Sequence, residues 1–172
     1  MKTKSLTFLL ALTFLFLFSG SVFGQETKVK REYWDNGKLK KEEFFKGGID
    51  PFHVIKWHKN GKKRSEFFYK DSELDGPYIS WHPNGRKASE NYFKKDVQIG
   101  RKTEWWANGQ KYYEEEFSKD GRRQGRRTMW YENGKKRIEQ HYKNGKENGL
   151  WTEWSEDGKK TFQGNFVDGN EQ

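Results

Sequence analysis

Four histidines and a repeated column of carboxylates are the residues of this chain whose types suit metal binding or proton transfer. The histidines are His53, His58, His82 and His141, and the carboxylates are Glu42, Glu66, Glu90, Glu114 and Glu139, with Gln163 closing the series. A metal needs several ligands converging on one point, and a general acid–base pair needs two groups that differ in environment. His58 and His82 occupy equivalent places in successive copies of a repeat, which sets them ~10 Å apart with a strand between them. The five glutamates also recur at equal spacing, so a cross-strand structural role is expected, with Lys102 or Arg127 as partners. No cysteine is present, which excludes thiol nucleophiles and zinc–thiolate sites. Gly47-Gly48 lacks the strand–loop–helix setting of a phosphate loop. The expectation is a binding protein with no catalytic residues, no metal and no cofactor.

The elements that position these residues are set by the repeat. Glycines fall at Gly37, Gly61, Gly85, Gly109, Gly134 and Gly158, at intervals of 24, 24, 24, 25 and 24 residues. Asn precedes the first five and Asp157 the last. Four residues before each glycine stands a large aromatic: Tyr33, Trp57, Trp81, Trp105, Trp130 and Trp154. Eight residues after it stands another: Phe45, Tyr69, Phe93, Phe117, Tyr142 and Phe166. A second glycine recurs at Gly76, Gly100, Gly125 and Gly149, with Phe52 in its place in the first copy. Repetition at this period signals a stacked array of supersecondary units.

Asn-Gly between two short segments predicts a β-hairpin. Pro83 precedes Asn84 in the third copy and has no N–H for a ladder, so a three-residue loop fits better than a two-residue one. That loop pairs the residue four before the glycine with the one two after it. Simple alternation then places both aromatic columns on one side of the sheet. The Glu column, with Lys38, Lys62, Arg86, Lys135 and Lys159, falls on the other. Longer polar links, such as Lys70 to Asp75 and Lys143 to Asn148, should join the copies. The predicted fold is all-β: an elongated, single-layer antiparallel meander of six tandem 24-residue hairpins, about a dozen strands, ~55–60 Å long. The copies run approximately over 31–55, 56–80, 81–104, 105–129, 130–153 and 154–172.

A single sheet with aromatics on one side needs cover, from its own curvature or from a partner. The opposite face should carry Tyr78, His82, Lys102, Trp106, Arg127, Tyr131 and Trp151. These positions differ from copy to copy, where a recognition surface departs from a scaffold.

Residues 1–24 read as a secretory signal. Lys2 and Lys4 form a basic head, Leu6 to Phe18 an apolar run, and Ser19 to Gly24 a small-residue tail. The run is short of the ~20 residues needed to span a bilayer. The repeat domain is then 25–172, located in the periplasm or outside the cell. Of the 30 Phe, Trp and Tyr in the chain, five precede Gln25, so its core is aromatic. Net charge is +9, or +7 without Lys2 and Lys4. That balance favours anionic partners, and export disfavours nucleic acid among them.

Stretches such as Trp130 to Trp151 (WYENGKKRIEQHYKNGKENGLW) resemble the MORN-repeat variant that fills the YwqK-type antitoxin family. The resemblance extends over 31–169. It implies an elongated antiparallel sheet that acts as a scaffold for protein or lipid, and in the antitoxin case neutralisation of a partner toxin. The expected functions are therefore a protein-binding scaffold, an antitoxin-like or immunity-like protein, or a module attached to anionic lipid or envelope glycan.

Overall fold

A computed structural model describes residues 26–172. The signal segment read at 1–24 lies outside the described residues. The chain forms one open antiparallel sheet in which neighbours in sequence are neighbours in space. Six hairpins build it: β1 (Thr27–Tyr33) with β2 (Leu39–Lys46), β3 (His53–Trp57) with β4 (Lys63–Lys70), and β5 (Glu73–Trp81) with β6 (Lys87–Lys94). They continue through β7 (Val97–Trp105) with β8 (Lys111–Phe117), and β9 (Arg123–Trp130) with β10 (Lys136–Lys143). The short β11 (Lys146–Glu147) then leads into β12 (Gly149–Trp154), which pairs with β13 (Lys160–Val167), and β14 (Asn170–Glu171) folds back on β13. All-β architecture and the tandem-hairpin meander are as the repeat predicts.

The turns follow the expected three-residue loop. In the second copy Gly61 N–H donates to His58 C=O at 2.9 Å, and His58 N–H donates to Lys62 C=O at 2.9 Å. Trp57 pairs with Lys63, and the equivalent residues pair in every copy. Gly61 adopts φ 88°, and the other turn glycines are similarly positive, a conformation that a Cβ makes costly.

One residue beyond this pair the register shifts in all six hairpins. Lys56 opposes Ser65, so Arg64 is an extra residue on its strand, a β-bulge. An inserted residue reverses the facing of everything beyond it. This overturns the expected shared aromatic face. The aromatic column eight after the glycine lies on the side opposite the Trp column, and the Glu column lies on the Trp side.

On the Trp face one contact repeats beside the turns from the second copy to the last, while farther from the turns the face varies, from a Phe44–His53–Phe68 stack to an Arg101–Glu116 pair. Lys63 Nζ contacts Glu66 at 2.8 Å and lies over the Trp81 ring of the next copy at 5.2 Å. Lys87, Lys111 and Lys136 do the same with Glu90 and Trp105, Glu114 and Trp130, and Glu139 and Trp154. The Glu column therefore pairs with these lysines, which corrects the expected pairing with Lys102 or Arg127. Behind the tryptophans lie β-branched residues, of which Thr103, Thr128 and Thr152 are buried.

The links are shorter than expected. Lys70 pairs with Glu73, Lys94 with Val97, and Lys143 with Lys146, each across two residues. Positive φ at Asp71 and Ser72, at Lys95 and Asp96, and at Asn144 and Gly145 marks turns whose twist matches the strands. The link at 118–122 instead closes a three-residue loop, with Gly121 N–H donating to Ser118 C=O at 3.0 Å. Its additional residue accounts for the single 25-residue interval.

Candidate functional site on the variable face

The opposite side of the sheet is built from residues three, five and seven before each turn glycine and four, six and eight after it. The bulge fixes this membership, because it brings the strand following each turn into the same alternation as the strand before it. Tyr78, Lys102, Arg127 and Trp151 stand seven before, and His82, Trp106 and Tyr131 stand three before. The structure thus places all seven candidate residues on one face, and adds the second aromatic column to it.

In the second and third copies this face is an aromatic stack. Phe67 is 5% exposed and Val54 3%. The Phe67 ring stacks on Tyr78 at 5.0 Å with planes 6° apart, and meets Tyr69 edge-on at 5.6 Å. Tyr78 in turn meets Phe93 edge-on at 6.2 Å. Lys56 Nζ lies 5.2 Å over the Phe67 ring. A recess of about 290 Å³ opens beside them, lined by Lys41, Pro51, Val54, Lys56, Phe67 and Tyr69 among others. His82 borders a second recess with Lys56, Tyr78 and Ser80.

In the fourth and fifth copies the same positions are polar and charged. Glu115 is 2% exposed, accepts a hydrogen bond from Tyr113 Oη, and pairs with Arg123 Nε at 2.8 Å. Burial, and then the contact with Glu115, push the Tyr113 phenol well above the ordinary tyrosine value. Lys102 Nζ and the Arg127 guanidinium each lie 5.3 Å from the Tyr113 ring centroid. Arg127 Nη1 donates to Gln140 Oε1 at 2.8 Å, and Lys102 pairs with Glu104 at 3.0 Å. Tyr142, 5% exposed, donates to the same Gln140 oxygen at 3.3 Å and lies under Arg123. In the last copy Trp151 packs against Phe162 and Phe166 and donates to Glu153 at 3.0 Å.

The residues three before the glycine lock one copy to the next. His58 Nε2 donates to Trp81 C=O at 2.8 Å, His82 Nε2 to Trp105 C=O at 2.8 Å, and Tyr131 Oη to Trp154 C=O at 2.8 Å. Trp34 Nε1 makes the equivalent bond to Trp57 at 3.3 Å. Trp106 departs from the column: its ring packs edge-on to Tyr112 at 4.6 Å, and its buried Nε1 has no acceptor. His53 is engaged on the Trp face, between Phe44 and Phe68, with Nε2 2.9 Å from Glu66. His141 Nδ1 donates to Leu150 C=O at 3.0 Å. Among the described residues, no three His, Cys, Asp or Glu gather into a metal-holding group.

Tyr113, Glu115, Arg123 and Gln140 are not evident as a cluster in the sequence. Glu115 lies within a run of three glutamates, Glu114 to Glu116, and only the bulge register tells which one turns inward. The available signal was the column six after the glycine, where Phe67 gives way to Glu115 and Gln140.

A family model described as MORN repeat variant matches residues 27–46, 53–71, 74–95, 123–144 and 147–168, more than half of the chain. These segments follow five of the six hairpins. The unmatched hairpin, β7–β8, has the same turn and the same bulge, and it contributes Lys102, Trp106, Tyr113 and Glu115 to the variable face. No curated protein matches the chain at a significant level.

Proposed function

The chain belongs to the MORN repeat variant family, and from that premise we propose that it is a non-catalytic scaffold whose variable face binds a protein partner. One observation carries this reading. The Trp face repeats the same Trp, Lys and Glu contacts from copy to copy, whereas the other face changes from an aromatic stack to a charged cluster within two copies. Uniform positions suffice to hold an array together, so columns whose chemistry changes from copy to copy mark where recognition is expected. The basic head, apolar run and small-residue tail of residues 1–24 support action outside the cytoplasm.

The test is capture of a partner from an envelope extract, washed at low and then high salt. A single protein retained in stoichiometric amount, and lost with Trp106→Ala or Tyr131→Ala, is the expected result. Capture unchanged by both substitutions would count against the variable face. Toxin neutralisation is a special case: it requires a tight one-to-one complex with a toxic protein, and rescue only by a form that keeps residues 1–24. A charge of +7 beyond the signal segment favours a second reading, attachment to anionic lipid or glycan. Binding of that kind falls steeply as salt rises.

A further inference from the structure

Given a protein partner on the variable face, the donors of the fourth and fifth copies indicate what that partner offers. Arg127 makes no ion pair among the described residues; its Nη1 is taken by Gln140, and its buried Nε has no acceptor. On the same face Trp106 Nε1 is a second buried donor without an acceptor, although His58, His82 and Tyr131 in that column are all satisfied. Both atoms are closed to solvent, so a ligand on this face meets Arg127 at the outer part of its half-buried guanidinium, a charge-assisted donor. The local charge agrees. Lys102 pairs with Glu104 and Arg123 with Glu115, so Arg127 leaves this part of the face one positive charge in excess.

We propose that this face receives an extended, carboxylate-bearing segment of the partner protein. Its carboxylates meet Arg127 and Lys102, and its apolar side chains rest on Tyr78 and Phe93. Four strand spacings separate Tyr78 on β5 from Arg127 on β9, or ~19 Å, the length of ~6 extended residues. The segment therefore carries its carboxylates about that many residues from its apolar anchor. Charge-assisted contacts to a partly desolvated guanidinium favour a carboxylate over a neutral amide. The inference rests on the scaffold reading and adds the partner's chemistry to it.

The experiment is a fluorescence-anisotropy titration of the protein with a labelled peptide bearing two Glu six positions from two Phe, alongside a copy with Gln in place of both Glu. The Gln peptide is expected to bind about tenfold more weakly. Arg127→Gln should weaken the Glu peptide by about the same factor and leave the Gln peptide unchanged. Lys102→Gln supplies a second test if Arg127→Gln lowers the melting temperature. Arg101→Gln, at an exposed ion pair with Glu116, serves as the charge control and should have little effect. Equal binding of the two peptides, or indifference to both Arg127→Gln and Lys102→Gln, overturns the proposal. If a partner is still captured through Trp106 and Tyr131, the scaffold reading stands without the carboxylate. If phosphatidylserine vesicles bind while neither peptide nor partner does, both readings fall.

Discussion

The two faces of this sheet meet the same requirement, the stacking of six hairpins without a second layer, by different means. On the Trp face each copy reaches into the next: a lysine held by its own glutamate lies over the following tryptophan. The contact is modular, so it can be repeated without change, while the columns farther from the turn vary, from His53 between Phe44 and Phe68 to the Arg101–Glu116 pair. The turn edge beside it is equally regular, with Asn60 Nδ2 donating to Pro83 C=O and Lys62 Nζ to Asn84 C=O, and Asn84 and Arg86 doing the same one copy on. On the variable face the contacts are local to one or two copies. There Phe67 and Tyr78 stack in one region, and Glu115, Tyr113 and Arg123 form a closed polar cluster in another. Because the repeated Trp, Lys and Glu contacts already fix the register, the variable face is free to change its chemistry. The division also explains how a single layer manages its aromatics: each face covers its own rings with lysine and arginine stems.

The largest effect should come from the variable face itself. Phe67→Ala removes a buried ring with three ring and cation neighbours and should cost about 3–5 kcal/mol, read from urea unfolding monitored by circular dichroism. Trp105→Ala, at a half-buried ring of the Trp face, should cost about 2 kcal/mol, through lost burial and the lost Lys87 contact. A cost for Trp105→Ala above that for Phe67→Ala would reverse the ranking of the two faces. Next come the copy-to-copy locks. Tyr131→Phe deletes a bond to Trp154 C=O and should cost about 1 kcal/mol, whereas Trp106→Phe deletes a donor that has no acceptor and should cost less.

A fourth effect depends on acidity. Burial opposes the Glu66 charge, but hydrogen bonds from Lys63 and His53 outweigh it, and the carboxyl titrates below its ordinary value of 4.5. Glu32 is likewise held low, chiefly by its hydrogen bond with Lys41. A depressed carboxylate contributes stability that is present above the unfolded value and is lost as the pH falls through the folded one. The unfolding midpoint should therefore drop below pH 4.5, and Glu66→Gln should flatten that drop; an unchanged slope would remove Glu66 from the account. The smallest effect belongs to one exposed ion pair: Lys136→Met should change stability by no more than about 1 kcal/mol.

Much of this architecture could be read from residue order. Six evenly spaced glycines, each after Asn or Asp, specify the number of hairpins. Pro83 selects the three-residue loop, and the loop fixes which residues pair next to the turn. Tyr78, Lys102, Arg127 and Trp151 share a face with His82, Trp106 and Tyr131 because three and seven before the glycine have the same parity and no extra residue intervenes between them. The facing of the strand after each turn was beyond that reasoning. Period-two alternation assumes one residue opposite one residue, and the extra residue at Arg64 and its equivalents breaks that count. The lysine two after the glycine and the glutamate five after it, an odd distance apart yet joined in four copies, were the trace of the bulge in the sequence.

Sequence alone determined the repeat, the turns and the absence of cysteine chemistry, since these depend on residues close together in the chain. Tertiary structure alone decided which of Glu114, Glu115 and Glu116 is buried, and that Tyr113, Arg123 and Arg127 surround it. That outcome depends on cross-strand register over three neighbouring strands, and a shift of one residue in any of them turns a different side chain inward.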